Sequence, residues 1–392
     1  MMLRIAIIGA GIAGLTVARA LQSHGFRVQV YEQARQLGEV GAGLTLSPNA
    51  THVLNALGMA PVLERIGMRP ERGGVKHWRS GETLIDIMRG DEMLEKYGAA
   101  YYQVHRADLH DALVAAVAAA DSQAILLDHR VVGLSEPAPG TADRTEMQFA
   151  NGSRVRADLV IGADGLRSRV RELLFGAQQP RYTGYIAFRG LVPMERLSPE
   201  LVQPTSCISL GPGRTFTRYL VRAGQVLNYV ALSERDDWHE EGWSIPCAIA
   251  EVLGDFSGWY EDLRRIVRAT PPDSCFKWAL FDRDPLPQWT RGAVTLIGDA
   301  AHPMLPFLGQ GAAMGIEDAF VLARALAAGD SLPDSLRRYV AARQERTTYV
   351  MLKSRETALS YHRADPDNYR AQTHLSAESL GLMSYNPVTV PI

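Results

Sequence analysis

Residues 4–32 read RIAIIGAGIAGLTVARALQSHGFRVQVYE. Arg4 to Ile8 is a short apolar strand, Leu15 to His24 is helical and closed by Gly25, and Arg27 to Glu32 is a second strand. A strand, a helix and a strand in this order imply a parallel sheet. The joint between the first two holds Gly9, Gly11 and Gly14 in the spacing GxGxxG, and the acid Glu32 follows 18 residues after Gly14. Gly9 permits a tight turn, Gly11 lets a pyrophosphate approach the helix N-terminus, and Gly14 lets helix and strand pack closely. Glu32, with Gln33 beside it, is placed to hold a ribose hydroxyl, which disfavours a 2′-phosphate there. The stretch reads as a dinucleotide site without separating NAD from FAD.

Working outward, Pro48 to Leu57 and Pro61 to Ile66 read as helices. Asp108 to Ala120 reads as another, with Asp108 as N-cap, and Arg154 to Ile161 as a strand ending in Gly162-Ala163-Asp164-Gly165. From about Tyr182 to Leu232 the apolar pattern has period two, and Arg222-Ala223-Gly224 joins two of its strands. This section reads as an antiparallel layer. The α/β pattern returns near Trp289, and from Ser331 the chain is helical and charged, ending in a polar tail without evident structure. The expected domains are 1–70, 100–180 and 280–345 for the nucleotide-binding part, and 71–99 and 181–279 for an antiparallel part. Residues 346–392 follow as a C-terminal helical segment and tail.

The 392 residues carry 41 Lys and Arg against 43 Asp and Glu, so nothing asks for a nucleic acid. Cys207, Cys247 and Cys275 are odd in number and widely spaced, which argues against a disulfide framework and a metal site. The apolar start carries three spaced glycines and continues into a helix with no cleavage site, so it does not read as a signal peptide. No apolar run reaches membrane-spanning length. These readings lead to the expectation of a cytoplasmic monomer or homodimer acting on a small molecule.

Two further stretches carry chemistry. In Asp158–Arg171, DLVIGADGLRSRVR, a strand feeds Asp164 and then a basic helix; Asp164 or Ser168 reads equally as a helix cap. In Gly298–Gly311, GDAAHPMLPFLGQG, Asp299 stands where it can accept hydrogen bonds from ribityl or ribose hydroxyls. Gly309-Gln310-Gly311 leaves backbone N–H groups at a helix N-terminus, suited to the negative charge of a reduced flavin. His302 reads either as a base or as a hydrogen-bonded structural residue. Arg106, just before a helix, is a candidate phosphate contact or a surface residue.

Together these motifs resemble the group A flavin-dependent aromatic hydroxylases, which include salicylate hydroxylase, 3-hydroxybenzoate 6-hydroxylase and 6-hydroxynicotinate 3-monooxygenase. The match lies in GAGIAG with YEQ, GAGL at 41–44, HRADL at 105–109, IGADGLRSRVR at 161–171 and GDAAHPMLPFLGQGAAMGIEDA at 298–319, spanning roughly residues 3–345. The resemblance implies a Rossmann-like FAD-binding domain of the GR2 type, with an antiparallel substrate domain and C-terminal helices. It implies FAD as cofactor, NADH or NADPH as transient co-substrate, and O₂, with oxygen passing from a C4a-hydroperoxyflavin to an activated aromatic carbon. By position, Gly14 meets the pyrophosphate and Glu32 the ribose; Gly43, Leu44 and Thr45 line the flavin; Arg106 touches it; and Val131 contacts adenine. Asp164 is associated with both nucleotides, Asp299 with the ribityl chain, Pro306 with the reacting face, and Gly311 and Ala312 with the pyrimidine ring.

In Thr215–Leu220 alternation puts Thr215, Thr217 and Tyr219 on one face, with Tyr219 as the residue expected to orient or activate a phenol. Arg189 and Arg218 are the candidate carboxylate anchors. A hydroxypyridine or hydroxyquinoline hydroxylase is the nearest alternative. A flavin reductase or oxidase without oxygen transfer, or a non-enzymatic redox flavoprotein, is the alternative of another class.

Overall fold

The computed structural model describes residues 3–38, 41–135, 144–236, 238, 245–363, 365–369 and 374–392. At its centre is a six-stranded sheet in the order Thr290–Arg291, Val294–Leu296, Leu159–Gly162, Ile5–Ile8, Val28–Tyr31, Ile125–Leu126. All neighbours are parallel except the first pair. Every residue of Ile5–Ile8 is buried, as a parallel strand covered on both faces requires. That strand pairs with Val28–Tyr31 on one side and Leu159–Gly162 on the other. The chain therefore reverses direction across the sheet at its carboxyl end, which is where open α/β sheets place ligands.

The helix Ile12–Ser23 crosses the helix Gly311–Ala327 at small residues: a Cβ on Gly315 would stand 3.0 Å from that of Ala13. The helix Arg106–Ala120 packs on the other side of Ile12–Ser23. It begins two residues before the expected N-cap, because the Arg106 N–H donates to the Ala42 carbonyl. Asp108 lies instead in the first turn, where it favours the helix dipole and pairs with Arg222 at 2.9 Å.

The expected strand Arg154–Ile161 is two strands. Arg154–Ala157 belongs to a three-stranded antiparallel sheet with Val131–Ser135 and Thr145–Phe149, and Leu159–Gly162 to the parallel sheet. The break falls at Asp158, whose carboxylate accepts from the Arg4 N–H and from Arg144.

The second layer is an eight-stranded sheet in the order Ile245–Pro246, Cys275–Asp282, Arg181–Pro193, Val226–Glu234, Arg214–Val221, Ser206–Gly211, Arg72–His77, Thr83–Met88. Only the pair of Ser206–Gly211 with Arg72–His77 is parallel. Phe188, Phe216 and Tyr229 fill one face under the helices Ile249–Asp255 and Glu261–Arg268. In Glu261–Arg268 the apolar Leu263, Ile266 and Val267 share the buried stripe, with acids in the first turn and bases in the last. The opposite face of the sheet looks toward the parallel domain.

One helix, Leu332–Arg363, spans both layers: Leu336 and Tyr339 enter the core of the parallel domain, and Ala358 and Tyr361 the face of the large sheet. It runs unbroken through position 346. The tail is structured against expectation, with Ala377, Leu382 and Met383 buried in the parallel domain's core. Arg346 donates to the Leu382 carbonyl, and Arg324 to those of Pro387 and Val390.

Candidate active site

At the end of Ile5–Ile8, Gly9 takes a φ of +104° and donates to the Tyr31 carbonyl. A side chain on Gly14 would meet the Gly9 oxygen at 2.0 Å, whereas one on Gly11 would meet nothing within 4 Å. Space thus lies open at the one glycine that borders the helix N-terminus, whose N–H groups have no side-chain cap. That combination fits a phosphate. Glu32 is held rigidly, accepting from the Ala10 N–H at 2.7 Å and the Ala34 N–H at 2.9 Å. Its carbonyl accepts from His129, which brings Val131 alongside, and Gln33 lines an open groove with Arg35, Asp128 and Arg130. Asp164 adjoins Gly9, and its carboxylate accepts from the Ser168 hydroxyl at 2.5 Å and the Val170 N–H at 3.0 Å. Ser168 is the N-cap of the helix Arg169–Phe175, its hydroxyl accepting from the Arg171 N–H, and Asp164 supports it beside the turn.

The stretch 298–311 is the other wall. It is buried or half-buried throughout except for Asp299 and Pro306. Asp299 lies deep among protein atoms, and burial raises its carboxyl pKa against the opposing pull of His302 and Arg106. A carboxylate both deep and open to solvent borders a cleft. Gly43–Leu46 runs through the same region, paired antiparallel with Tyr102–His105. The Gly43 N–H donates to the Asn228 side chain at 2.7 Å, and the Thr45 hydroxyl to the Gly309 carbonyl at 3.2 Å. Gly309 has a φ of +63° and would carry a Cβ only 2.7 Å from the Thr45 oxygen. Gly43, Leu44, Thr45, Arg106, Gly311 and Ala312 are all half-exposed in the middle of the molecule. Gly311 and Ala312 open a helix with no side-chain cap. These half-exposed residues, two helix N-termini without side-chain caps and the solvent-facing Asp299 together fit FAD.

Behind this wall is a buried charge cluster. His302, 1% exposed, meets Asp318 at 2.5 Å through Nε2 and lies against the Trp289 ring. It faces the cluster, so the structure corrects the reading of His302 as a base acting in the cleft. Asp318 also accepts from the Gly298 N–H and from Arg343, and Arg343 pairs with Glu317. Burial alone would raise the Asp318 pKa, but His302 and Arg343 bring it down to about 2. Asn49 and Gln310 join Glu317 in the same network.

On the large sheet, Tyr219 pairs with Asn228 and Ser206 across neighbouring strands and is 7% exposed. Its ring lies where a Gly43 Cβ would stand, 2.5 Å from Cε2. Burial, with Tyr101 nearby, pushes its phenol well above the ordinary value. Thr217 is half-exposed on this face, while Thr215 is closed off at 1%. Arg189 shares the face, its guanidinium over the Phe276 and Trp278 rings at 5.6 and 5.1 Å. Arg218 does not: alternation turns it to the opposite face, where it donates to the carbonyls of Val202, Gln203 and Pro204. It clamps a loop and cannot anchor a substrate. The sequence reading missed Asn228, which the cross-strand register reveals, and Phe307 and Tyr361, whose rings meet above the sheet at 6.4 Å.

The model of a family described as FAD binding domain matches residues 2–202 and 275–354. The chain is 39% identical over 371 residues to a 3-amino-4-hydroxybenzoate 2-monooxygenase of Streptomyces platensis, covering 94% of this chain and 90% of the relative. It is 37% identical over 368 residues to a 6-hydroxynicotinate 3-monooxygenase of Bordetella bronchiseptica, covering 93% and 94%. The structure of Klebsiella pneumoniae HpxO with FAD and uric acid superposes with a TM-score of 0.87 at 26% identity, covering 99% of this chain and 97% of that one. Among the described residues no helix is long and apolar enough to cross a membrane. The open glycine turn, the solvent-facing Asp299 and these likenesses agree: the chain belongs to the FAD-binding-domain family, and within it to the FAD-dependent aromatic monooxygenases.

Proposed function

We propose that this enzyme hydroxylates a small phenolic or hydroxybenzoate-type ring, or the equivalent hydroxypyridine acid, using NADH or NADPH and O₂. The observation that carries the proposal is the pairing of two surfaces: the stretch 298–311 with its exposed Asp299 and Pro306, and the sheet face bearing Thr217 and Tyr219, which meets the strand Gly43–Leu46 at Gly43. Bound FAD would take electrons from the nicotinamide and activate O₂. Glu32, the Gly11 turn, Asp299 and the N–H groups of Gly311 and Ala312 would hold it. Tyr219 stays protonated through the neutral range because burial raises its pKa. It therefore serves as a hydrogen-bond donor to a phenolate oxygen, orienting the ring and favouring loss of the substrate proton.

Turnover of holoenzyme with NADH or NADPH and ¹⁸O₂, offered 3-amino-4-hydroxybenzoate or 6-hydroxynicotinate, tests this. A product carrying one ¹⁸O atom is expected. Nicotinamide oxidation that yields only hydrogen peroxide with every phenol tried would make the protein an oxidase instead.

A further inference from the structure

Arg89 stands at the end of the edge strand Thr83–Met88, just before the helix Gly90–Tyr97. It is half-buried, and its Nε and Nη1 are buried without a hydrogen-bond partner. No carboxylate among the described residues lies within ion-pair distance. A guanidinium with buried, unpaired donors is costly unless something absent from the chain completes it. Its surroundings are aromatic. The guanidinium lies 4.6 Å from the centre of the Tyr101 ring, and its positive field reaches Tyr361 and His374. His374 stacks on Tyr361 at 5.9 Å, accepts from or donates to the Tyr369 hydroxyl at 3.0 Å, and burial takes its pKa down to about 4. The histidine is therefore neutral, and the charge that Arg89 brings to this group of rings is positive.

Arg89 is also on the right side of the sheet. Its Nε is 3.8 Å from where a Gly73 Cβ would stand. Gly73 pairs with Ser206, and Ser206 with Tyr219. Arg89 thus shares the flavin-facing side with Tyr219, two strands away, or about 10 Å by strand spacing. Ser206, whose hydroxyl accepts from Gln103, lies between them in the row, and Tyr101 borders both Arg89 and Tyr219; Ile208 and Val75 form the next row of the floor, with Phe307 and Tyr361 packed on it. A largely apolar floor with a phenol at one end and a cation without a carboxylate partner at the other matches an aromatic ring bearing a hydroxyl and an anionic substituent.

We infer that Arg89, held by the edge strand and the C-terminal segment, binds the carboxylate of the substrate and so selects aromatic acids over neutral phenols. This rests on the monooxygenase reading above. Of the two anchors the sequence offers, Arg218 is spent on backbone carbonyls on the far face, and Arg189, on the near face, lies over the Phe276 and Trp278 rings on the other side of the Tyr219 strand.

The test compares wild type, Arg89→Gln and Arg89→Lys as FAD-loaded enzymes. Two probe pairs differ only in the carboxylate: 3-amino-4-hydroxybenzoate with 2-aminophenol, and 6-hydroxynicotinate with 2-hydroxypyridine. Binding is read from the perturbation of the flavin spectrum. Arg89→Gln should raise the Kd of the acid about ten- to a hundredfold and leave its neutral partner within about twofold, with Arg89→Lys in between. Equal losses for both members of a pair, or no loss for the acid, would overturn the assignment. If Arg89→Gln fails to hold FAD, the wild type decides, since an enzyme that binds acid and neutral probe alike has no anion site. A wild-type flavin spectrum that responds to no aromatic compound removes the monooxygenase reading as well.

Discussion

Asp299, in the 298–311 stretch, and Tyr219, on the large sheet, lend themselves to separate tests. Asp299→Ala removes a charged acceptor from the cofactor. Hydrogen bonds to charged groups contribute about 1.5–3 kcal/mol, so the Kd for FAD should rise roughly ten- to a hundredfold, measured by fluorescence titration of apoprotein. Tyr219→Phe should leave FAD affinity unchanged and lower the ratio of hydroxylated product to nicotinamide consumed, with the balance appearing as hydrogen peroxide. A ratio equal to wild type would reduce Tyr219 to packing against Gly43. The positions of both were legible in the sequence, Asp299 at a strand end and Tyr219 by alternation on the face with Thr217. The same alternation already set Arg218 apart from Thr217 and Tyr219, and Arg218 proves to serve the loop 202–204. His302 was ambiguous because its partner Asp318 is sixteen residues away on a helix, and no local spacing links them.

Elements give sharper tests than single contacts, because two glycines of one turn have opposite reasons to be there. Gly11→Ala meets no protein atom within 4 Å, so it should fold with an unchanged Tm but lose FAD. Gly14→Ala drives a methyl to 2.0 Å from a backbone oxygen and should lose both. Differential scanning calorimetry of the two apoproteins separates them. The helix Gly311–Ala327 is fixed to the helix Leu332–Arg363 through Asp318 and Arg343 at 2.8 Å. The Asp318 pKa is depressed in the folded state to about 2. Its stabilisation is therefore fully present above the unfolded pKa near 4 and is lost as pH falls from about 4 to about 2. That loss is on the order of 2 kcal/mol, and Asp318→Asn should flatten this part of the acid-unfolding curve while lowering stability at pH 7. The sequence showed that these elements exist but not all their joints. Arg154–Ile161 reads as one strand, and the capture of Asp158 by the Arg4 N–H and by Arg144 marks where it splits between sheets.

At the scale of the whole molecule the two-layer plan was readable, since a buried parallel strand and a half-buried antiparallel one carry different apolar periods. The tail was not. Its anchors Ala377, Leu382 and Met383 are too few and too irregularly spaced to show a period, and they are held by backbone carbonyls that any sequence supplies. Tyr361 and His374, which stack on one another over the large sheet, belong to this poorly patterned end of the chain, so their place was hidden from the sequence.

The helix Leu332–Arg363 sets a phase as well as a distance. Its 32 residues extend about 48 Å. Arg343 and Arg346, in its first half, meet the buried Asp318 and Glu317, while Arg355 and Tyr361, farther on, meet Asp282 and Phe307. Each residue turns the helix by about 100°, so the two ends stay in step only at this length. One alanine inserted after the exposed Leu352 would leave the first contacts alone and rotate Tyr361 away from Phe307. FAD content should hold, while aromatic binding falls on the order of a hundredfold. Leu352→Gln, which changes the same surface without altering the phase, should leave both FAD content and aromatic binding as in wild type. Read by flavin absorbance and ligand titration, the pair would show whether the cofactor and substrate halves are kept in register by a single shaft.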